Sequence, residues 1–168
     1  RMTEETRTRP RRYYSAAKVA VEQFVSAVSM EYGMRCNVIR PGFTFGNPAL
    51  PGCPIEGDRR LRDICARARR GEEIVLERGA GTQPIWAGDL ARVFAAVLAS
   101  DASRETYHVM GTEYVPWSEL AEEAVRQAGS GSRITLNGGG YEPCLFDLSK
   151  LRAHFGFEFA SRPRLVEH

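Results

Sequence analysis

A tyrosine and a lysine four residues apart, Tyr14 and Lys18, have the spacing in this chain that most directly suggests chemistry. On an α-helix, positions i and i+4 lie on one face, so the phenol and the ammonium would point the same way. An ammonium beside a phenol favours the phenolate and lowers a tyrosine pKa from about 10. Such a tyrosine can exchange a proton at neutral pH, where a carbonyl becomes an alcohol or the reverse. An ordinary surface helix has the same spacing, so the pair alone does not decide the function.

A helix from about Tyr13 to Tyr32 is predicted to carry this pair near its start. Apolar residues recur at helical spacing, at positions 21, 24, 25 and 28, and Gly33 is typical of the residue just past a helix end. Tyr13 competes for the same role, but it lies five residues from Lys18, on a different part of the helix. The i,i+4 geometry therefore selects Tyr14.

Strands and helices alternate along the rest of the chain. Short apolar runs predict strands at about 36–40, 74–76, 83–87, 107–110 and 133–136. Helices are predicted at about 58–70, 90–99, 118–128 and 147–155, the first three with N-caps at Asp58, Asp89 and Ser118. A long loop is expected at 41–57, which holds four prolines and four glycines. The alternation predicts an α/β fold with mainly parallel strands.

Composition and charge limit the possible functions. The chain has 168 residues, 43% hydrophobic and 26% charged, as in one globular domain or a large part of one. A net charge of +2 is too small to indicate nucleic-acid binding, and no apolar run approaches a membrane span. Four isolated cysteines without a C-x-x-C pair are typical of a reducing cytoplasm. Neither His108 nor His154 has a second ligand at metal-binding spacing, so no metal site is expected.

Several segments together resemble one enzyme family. Residues 14–18, YSAAK, resemble the Tyr-x-x-x-Lys site of short-chain dehydrogenases. Residues 31–42, EYGMRCNVIRPG, resemble the helix, strand and Arg-Pro-Gly turn of the extended branch, the NAD-dependent epimerase/dehydratase group. Further similar segments follow in the same order, at 43–46 (FTFG), 71–74 (GEEI), 86–91 (WAGDLA), 107–111 (YHVMG) and 147–157 (DLSKLRAHFGF). Because their order and spacing extend over nearly the whole chain, the combination carries more weight than any single motif.

The resemblance implies a Rossmann-type enzyme that uses NAD or NADP on a small-molecule substrate. In that family the tyrosine is the general acid/base, and the lysine holds the nicotinamide ribose and keeps the tyrosine pKa low. These roles would fall on Tyr14 and Lys18, which would both also contact the cofactor. The backbone after the Arg-Pro turn lies beside the nicotinamide, which implies further cofactor contacts from Pro41, Gly42, Phe43 and Thr44. A proline and a glycine there would fix a turn and let a ligand approach the main chain.

The same resemblance implies how the chain divides. Residues 1–46 and 83–111 would belong to the dinucleotide-binding Rossmann domain, and residues 47–82 and 112–168 to a small mixed α/β substrate-binding subdomain. The family's glycine-rich turn and its catalytic serine or threonine are expected in a preceding segment. The chain would then be the C-terminal portion of a longer enzyme, inactive by itself, and its strand at 36–40 should lack an in-chain partner on at least one side. A cytoplasmic homodimer, formed through the Tyr14 helix, is the expected assembly.

Two departures from the family pattern leave the substrate open. Nucleotide-sugar enzymes of this branch carry an arginine near the turn that here reads Gly81-Thr82-Gln83-Pro84, and an asparagine where Phe43 or Thr44 stands. The reaction could therefore be epimerisation, dehydration or reduction, on a sugar-like or another small substrate. A phosphate contact could come instead from Arg59, Arg60 or Arg62, which could equally form a solvated helix face.

Two other classes of function stay open from the sequence. The same fold could keep the cofactor pocket and act as a non-catalytic NAD(P)-binding regulator or redox sensor, which needs no proton exchange at Tyr14. The chain could also be a non-catalytic piece with a structural role. Binding of NAD(P) without turnover would favour the sensor.

Overall fold

A computed structural model describes residues 1–47, 58–140 and 142–168. The helices are α1 (Tyr13–Tyr32), α2 (Arg60–Arg70), α3 (Ala87–Ala99), α4 (Trp117–Ala128), α5 (Ser149–Phe155) and α6 (Arg162–Glu167). The strands are β1 (Val38–Pro41), β2 (Phe43–Phe45), β3 (Ile74–Glu77), β4 (Gly81–Thr82), β5 (Pro84–Trp86), β6 (Thr106–Val109), β7 (Val115–Pro116) and β8 (Ile134–Asn137). None of the helices in these ranges combines the length and the hydropathy that crossing a membrane requires.

The strands pair two by two, and three of the four described pairs are parallel. β1 pairs with β6, β2 with β5 and β3 with β8 in parallel, whereas β4 and β7 are antiparallel. Val38 lies opposite Thr106 and Pro41 opposite Val109, which fixes the register of the first pair. The predicted α/β class is confirmed. Among the described strands β6 is the one partner of β1, so the prediction that β1 keeps one open edge is also confirmed.

Two clusters of buried side chains form the core. The first joins β2, α2, β3, β7, α4 and α6, through Phe45, Ile64, Ala68, Ile74, Val115, Trp117, Leu120, Ala121 and Leu165. The second joins β5, α3, β6 and α5, through Ile85, Val93, Val97, Tyr107, Val109, Leu151 and Phe159. The division of the chain into two domains stays a prediction. The Rossmann domain would hold residues 1–46 and 83–111, and the substrate-binding subdomain residues 47–82 and 112–168.

The start of α3 differs from its prediction because residues distant in sequence decide it. The prediction that Asp89 is the N-cap is wrong, since α3 begins at Ala87 and Asp89 lies in its first turn. Asp89 is buried, and its carboxylate accepts hydrogen bonds from Arg92 and from Arg164 of α6, both at 3.2 Å. The Arg164 guanidinium also stacks on the Trp86 ring, 4.3 Å from its centroid. Asp89 therefore joins α6 to the start of α3.

Other differences concern element ends and short elements. Ser118 is not a cap either, because α4 begins one residue earlier, at Trp117. Asp58 precedes the N-cap of α2, yet its carboxylate accepts the Arg60 N–H at 3.1 Å and so still serves the helix start. Part of the predicted loop at 41–57 is strand β2, and residues 48–57 lie outside the described residues. The sequence does not predict β4, β7 or α6.

Substitution Asp89→Asn is expected to lower the free energy of unfolding by about 1–2 kcal/mol, because it leaves two guanidinium groups without their buried carboxylate. Thermal unfolding measures the loss, and faster amide hydrogen exchange in α6 would locate it. Asp101→Asn is the matched control, since Asp101 pairs with Arg35 on the surface and is fully exposed. Equal effects of the two substitutions would contradict the role given to Asp89.

Candidate active site

The first turn of α1 is fixed by a hydrogen-bonded pair next to Tyr14. The Arg12 N–H donates to Ser15 Oγ at 3.2 Å, and the Ser15 hydroxyl donates to the Arg12 carbonyl at 2.8 Å. The first bond gives a partner to the Arg12 N–H at the helix start, and the second adds to the hydrogen bond that the Arg12 carbonyl accepts from the Ala16 N–H at 2.9 Å. At the other end, Gly33 adopts a left-handed φ of 65°, which ends the helix where the sequence predicts.

Tyr14 and Lys18 share one face of α1, as their spacing predicts. The Lys18 ammonium lies 5.5 Å from the centroid of the Tyr14 ring, at cation–π distance. Tyr14 is 75% exposed, so its hydroxyl is open to a ligand. Within the described ranges Lys18 has no ion pair, which leaves its charge available. The competing Tyr13 is 98% exposed and makes no corresponding contact in the described part of the chain. The catalytic and cofactor-binding roles of Tyr14 and Lys18 stay a prediction.

One turn after Lys18, α1 is anchored to β1 by charge at Glu22. The Arg40 guanidinium donates two hydrogen bonds to the Glu22 carboxylate, at 2.9 and 2.6 Å. Bidentate pairs of this kind are strong and directional, and the bond to Glu22 raises the pKa of Arg40. The contact orients the helix so that a row of large side chains faces solvent, namely Tyr14, Val21, Phe24, Val28 and Tyr32.

Gly42, predicted to contact the cofactor, lies where the chain packs against itself. Its N–H donates to the Val109 carbonyl at 3.0 Å, next to the β1–β6 pair. A Cβ at this position would lie 2.7 Å from the Met110 Cβ and closer still to the Gln83 carbonyl oxygen. The close approach that requires a glycine here is therefore made by the protein's own backbone. A contact with the cofactor from Pro41 or Gly42 stays a prediction.

Phe43 and Thr44 line a cavity of about 410 Å³ between β2, α2, α4 and α6. The Phe43 ring packs edge-on against Trp117, with centroids 5.2 Å apart, and the exposed Thr44 hydroxyl donates to the Gly42 carbonyl at 3.3 Å. A volume in this range suits a small ligand. No residue of α1 belongs to the described lining, so Tyr14 and Lys18 do not share this cavity with Phe43 and Thr44.

A buried polar cluster that the sequence did not suggest surrounds His108 in β6. The backbone N–H of His108 donates to Glu4 Oε1 at 2.9 Å. The ring Nδ1 of His108 lies 4.0 Å from the same oxygen and has no hydrogen-bond partner in the described residues. Arg40 donates to the Glu4 carbonyl at 3.2 Å. Burial lowers the pKa of His108, against the opposing charge of Glu4. No group of three or more possible metal ligands occurs in ranges 1–47, 58–140 and 142–168.

This histidine is expected to make stability depend on pH. Because the folded pKa of His108 is lowered below 6.5, the unfolded chain binds the proton more readily. The stabilising contribution is therefore complete above about pH 6.5 and is lost as the pH falls through the folded pKa. Melting temperatures measured from pH 8 to pH 5 should show this decline, and His108→Gln should flatten it. A slope unchanged in that variant would contradict the assignment to His108.

The family of the chain follows from comparison with known proteins. The chain belongs to the RmlD substrate-binding domain family, whose profile matches residues 1–138. This match confirms the resemblance to the extended short-chain dehydrogenases that the motifs suggested. No curated protein matches the chain.

Solved structures share the fold over half of their length. UDP-glucose 4-epimerase of Thermus thermophilus, complexed with NAD, is 24% identical with a TM-score of 0.71, over 92% of this chain and 51% of its own. dTDP-glucose 4,6-dehydratase of Bacillus anthracis, complexed with NAD, is 20% identical with a TM-score of 0.78, over 99% and 54%. RMD of Pseudomonas aeruginosa, complexed with NADPH, is 20% identical with a TM-score of 0.73, over 92% and 53%. The predicted Rossmann-type fold is thereby confirmed, and the chain spans about half the length of these proteins.

Proposed function

We propose that this chain supplies the acid/base pair and part of the substrate site of an NAD(P)-dependent epimerase, dehydratase or reductase. The reaction would take place at a carbinol or carbonyl of a sugar-like substrate. The observation that carries the proposal is the Lys18 ammonium over the exposed Tyr14 ring, in a member of this family. The sugar-nucleotide enzymes among the similar solved structures support the same class.

The residues present fit a dinucleotide to different degrees. Tyr14 and Lys18 fit, because both are exposed and Lys18 has no acidic partner in the described residues. Phe43 and Thr44 line a different cavity, so their contact with the same dinucleotide stays a prediction, and the requirement for glycine at position 42 is already explained by the Gln83 carbonyl. NAD and NADPH are bound in two of the similar structures, and such a dinucleotide would supply a hydride acceptor or donor here.

The chain's own contribution would be proton transfer and orientation. Tyr14 would take the hydroxyl proton of the substrate at its phenolic oxygen, or return it. Lys18 would stabilise the negative charge that develops on that oxygen, and would hold ribose hydroxyls by hydrogen bonds. A cytoplasmic homodimer belongs to the same proposal, and the exposed apolar side chains further along α1, those of Val21, Phe24 and Val28, support a partner surface on that helix.

The direct test is turnover by the intact protein. Incubation with NAD or NADP and either UDP-glucose or dTDP-glucose, followed by NMR of the sugar, should reveal an epimerised, keto or reduced product. Calorimetric titration with each dinucleotide measures cofactor binding independently. Dinucleotide binding without conversion of any sugar-nucleotide or simple carbonyl substrate would favour the sensor function instead.

A further inference from the structure

Three side chains of helix α1 follow one another at intervals of four residues, namely Tyr14, Lys18 and Glu22. Positions i and i+4 are neighbours on a helix surface, so Lys18 has a ring one turn before it and a carboxylate one turn after it. Both can attract an ammonium, the ring through its π face and the carboxylate through its charge. In the structure the Lys18 ammonium lies 5.5 Å from the centroid of the Tyr14 ring, whereas Glu22 pairs with Arg40.

Arg40 of β1 explains why Glu22 does not take this ammonium. The Arg40 guanidinium donates to both carboxylate oxygens of Glu22, at 2.9 and 2.6 Å, and the two side chains are 25% and 21% exposed. A bidentate contact of this kind engages the carboxylate's charge and fixes its direction. Arg40 also donates to the Glu4 carbonyl at 3.2 Å, so a second group holds the guanidinium in place. Glu22 is therefore occupied, and Lys18 keeps the Tyr14 ring as its neighbour.

We infer that Arg40 is a positioning residue, which engages Glu22 and so keeps the Lys18 ammonium beside Tyr14. Without Arg40, Glu22 would be a mostly buried carboxylate without a partner. Leaving such a charge unpaired costs more than the attraction between an exposed ammonium and an aromatic ring contributes. Because Lys18 lies one turn away, its ammonium would move toward Glu22 and away from Tyr14. In the described part of the chain Arg40 has no hydrogen bond to Tyr14 or Lys18, so it acts on them through Glu22.

Tyr14 and Lys18 are the acid/base pair of the proposed function, on which this role of Arg40 rests in turn. The position of the Lys18 ammonium can nevertheless be measured without turnover. The chain has two lysines, Lys18 and Lys150, so labelling of lysine with ¹³C at Cε gives one NMR signal for each. Protons above an aromatic ring shift upfield, which makes the ε protons of Lys18 a reporter of the Tyr14 ring. Lys150, which pairs with Glu105 at 2.7 Å, is the internal reference.

Arg40→Gln should move the Lys18 ε-proton signal downfield and lower kcat at least about tenfold, because the tyrosine loses its neighbouring charge. Arg40→Gln/Glu22→Gln should return the signal to its wild-type position and kcat to within about threefold of wild type, since the competing carboxylate is gone. Arg164→Gln is the matched control, because it breaks an ion pair with the buried Asp89 at the start of α3. It should lower stability and leave both the Lys18 signal and kcat near their wild-type values.

An unmoved Lys18 signal in Arg40→Gln would overturn the positioning role, and so would a double variant as impaired as Arg40→Gln, which a purely structural contact predicts. If Arg40→Gln does not fold, Glu22→Gln gives a second test. Because Arg40 already occupies Glu22, loss of the carboxylate should leave the Lys18 signal in place, and a shift would overturn the role. A Lys18 signal that moves as expected in a protein that turns over no substrate would keep the positioning role and remove the proposed enzyme.

Discussion

Substitution Tyr14→Phe in the intact protein is expected to lower kcat by about 10²–10⁴-fold, the range typical of a lost general acid/base. The phenolic oxygen is the atom that would exchange the substrate proton, and phenylalanine keeps the ring beneath the Lys18 ammonium. Because the ring stays, affinity for NAD(P) should change little, so the loss should appear in kcat. Steady-state kinetics with a separate measurement of dinucleotide binding distinguishes the two effects.

The adjacent tyrosine gives a matched control for this experiment. Tyr13→Phe removes the same hydroxyl one residue away, from a side chain that is even more exposed. It should leave kcat near the wild-type value, since Tyr13 does not face Lys18. Near wild-type activity of Tyr14→Phe, or an equal loss in Tyr13→Phe, would remove the assignment of Tyr14.

Signals that act over a few residues predicted most of the fold. The end of α1 at Gly33, and the ends of α2, α4 and α5 at Gly71, Gly129 and Gly156, follow from glycines that adopt positive φ just past a helix. The shared face of Tyr14 and Lys18 is a local feature too, because residues four apart on an α-helix lie on the same side. Such features depend on local backbone geometry, which neighbouring residues decide.

Contacts between distant residues explain what the sequence did not reveal. The sequence alone predicts that Asp89 is a helix cap. In the structure its carboxylate instead accepts a hydrogen bond from Arg164, 75 residues later in the chain. The Glu4–His108 contact joins positions 104 residues apart and has no local pattern. The arginines of α2 look alike in sequence, and only the structure shows that Arg60 pairs with Asp58 and Arg70 with Glu72. Site features of this kind become visible only when the tertiary structure is known.

Substitution of Gly42 is expected to have the second large effect. Its result distinguishes two reasons for a glycine at this position, packing within the protein and binding of the cofactor. Gly42→Ala is expected to lower the free energy of unfolding by about 3 kcal/mol, the upper end of the usual range for overpacking. The added Cβ would meet the Gln83 carbonyl oxygen and the Met110 Cβ, and a backbone carbonyl cannot rotate away as a side chain can. Denaturant unfolding of the intact protein without dinucleotide measures the loss.

Gly131→Ala is the matched control, because a Cβ at Gly131 meets nothing within 4 Å and its backbone is not in the positive-φ region. Its stability should be unchanged or slightly raised, since alanine restricts the unfolded chain more than glycine does. The comparison also decides why position 42 needs a glycine. If the glycine served only the approach of NAD(P), Gly42→Ala would weaken dinucleotide binding and leave the stability of the unliganded protein at the level of Gly131→Ala. A loss of stability without dinucleotide would instead assign the requirement to the contact between Gly42 and the Gln83 backbone.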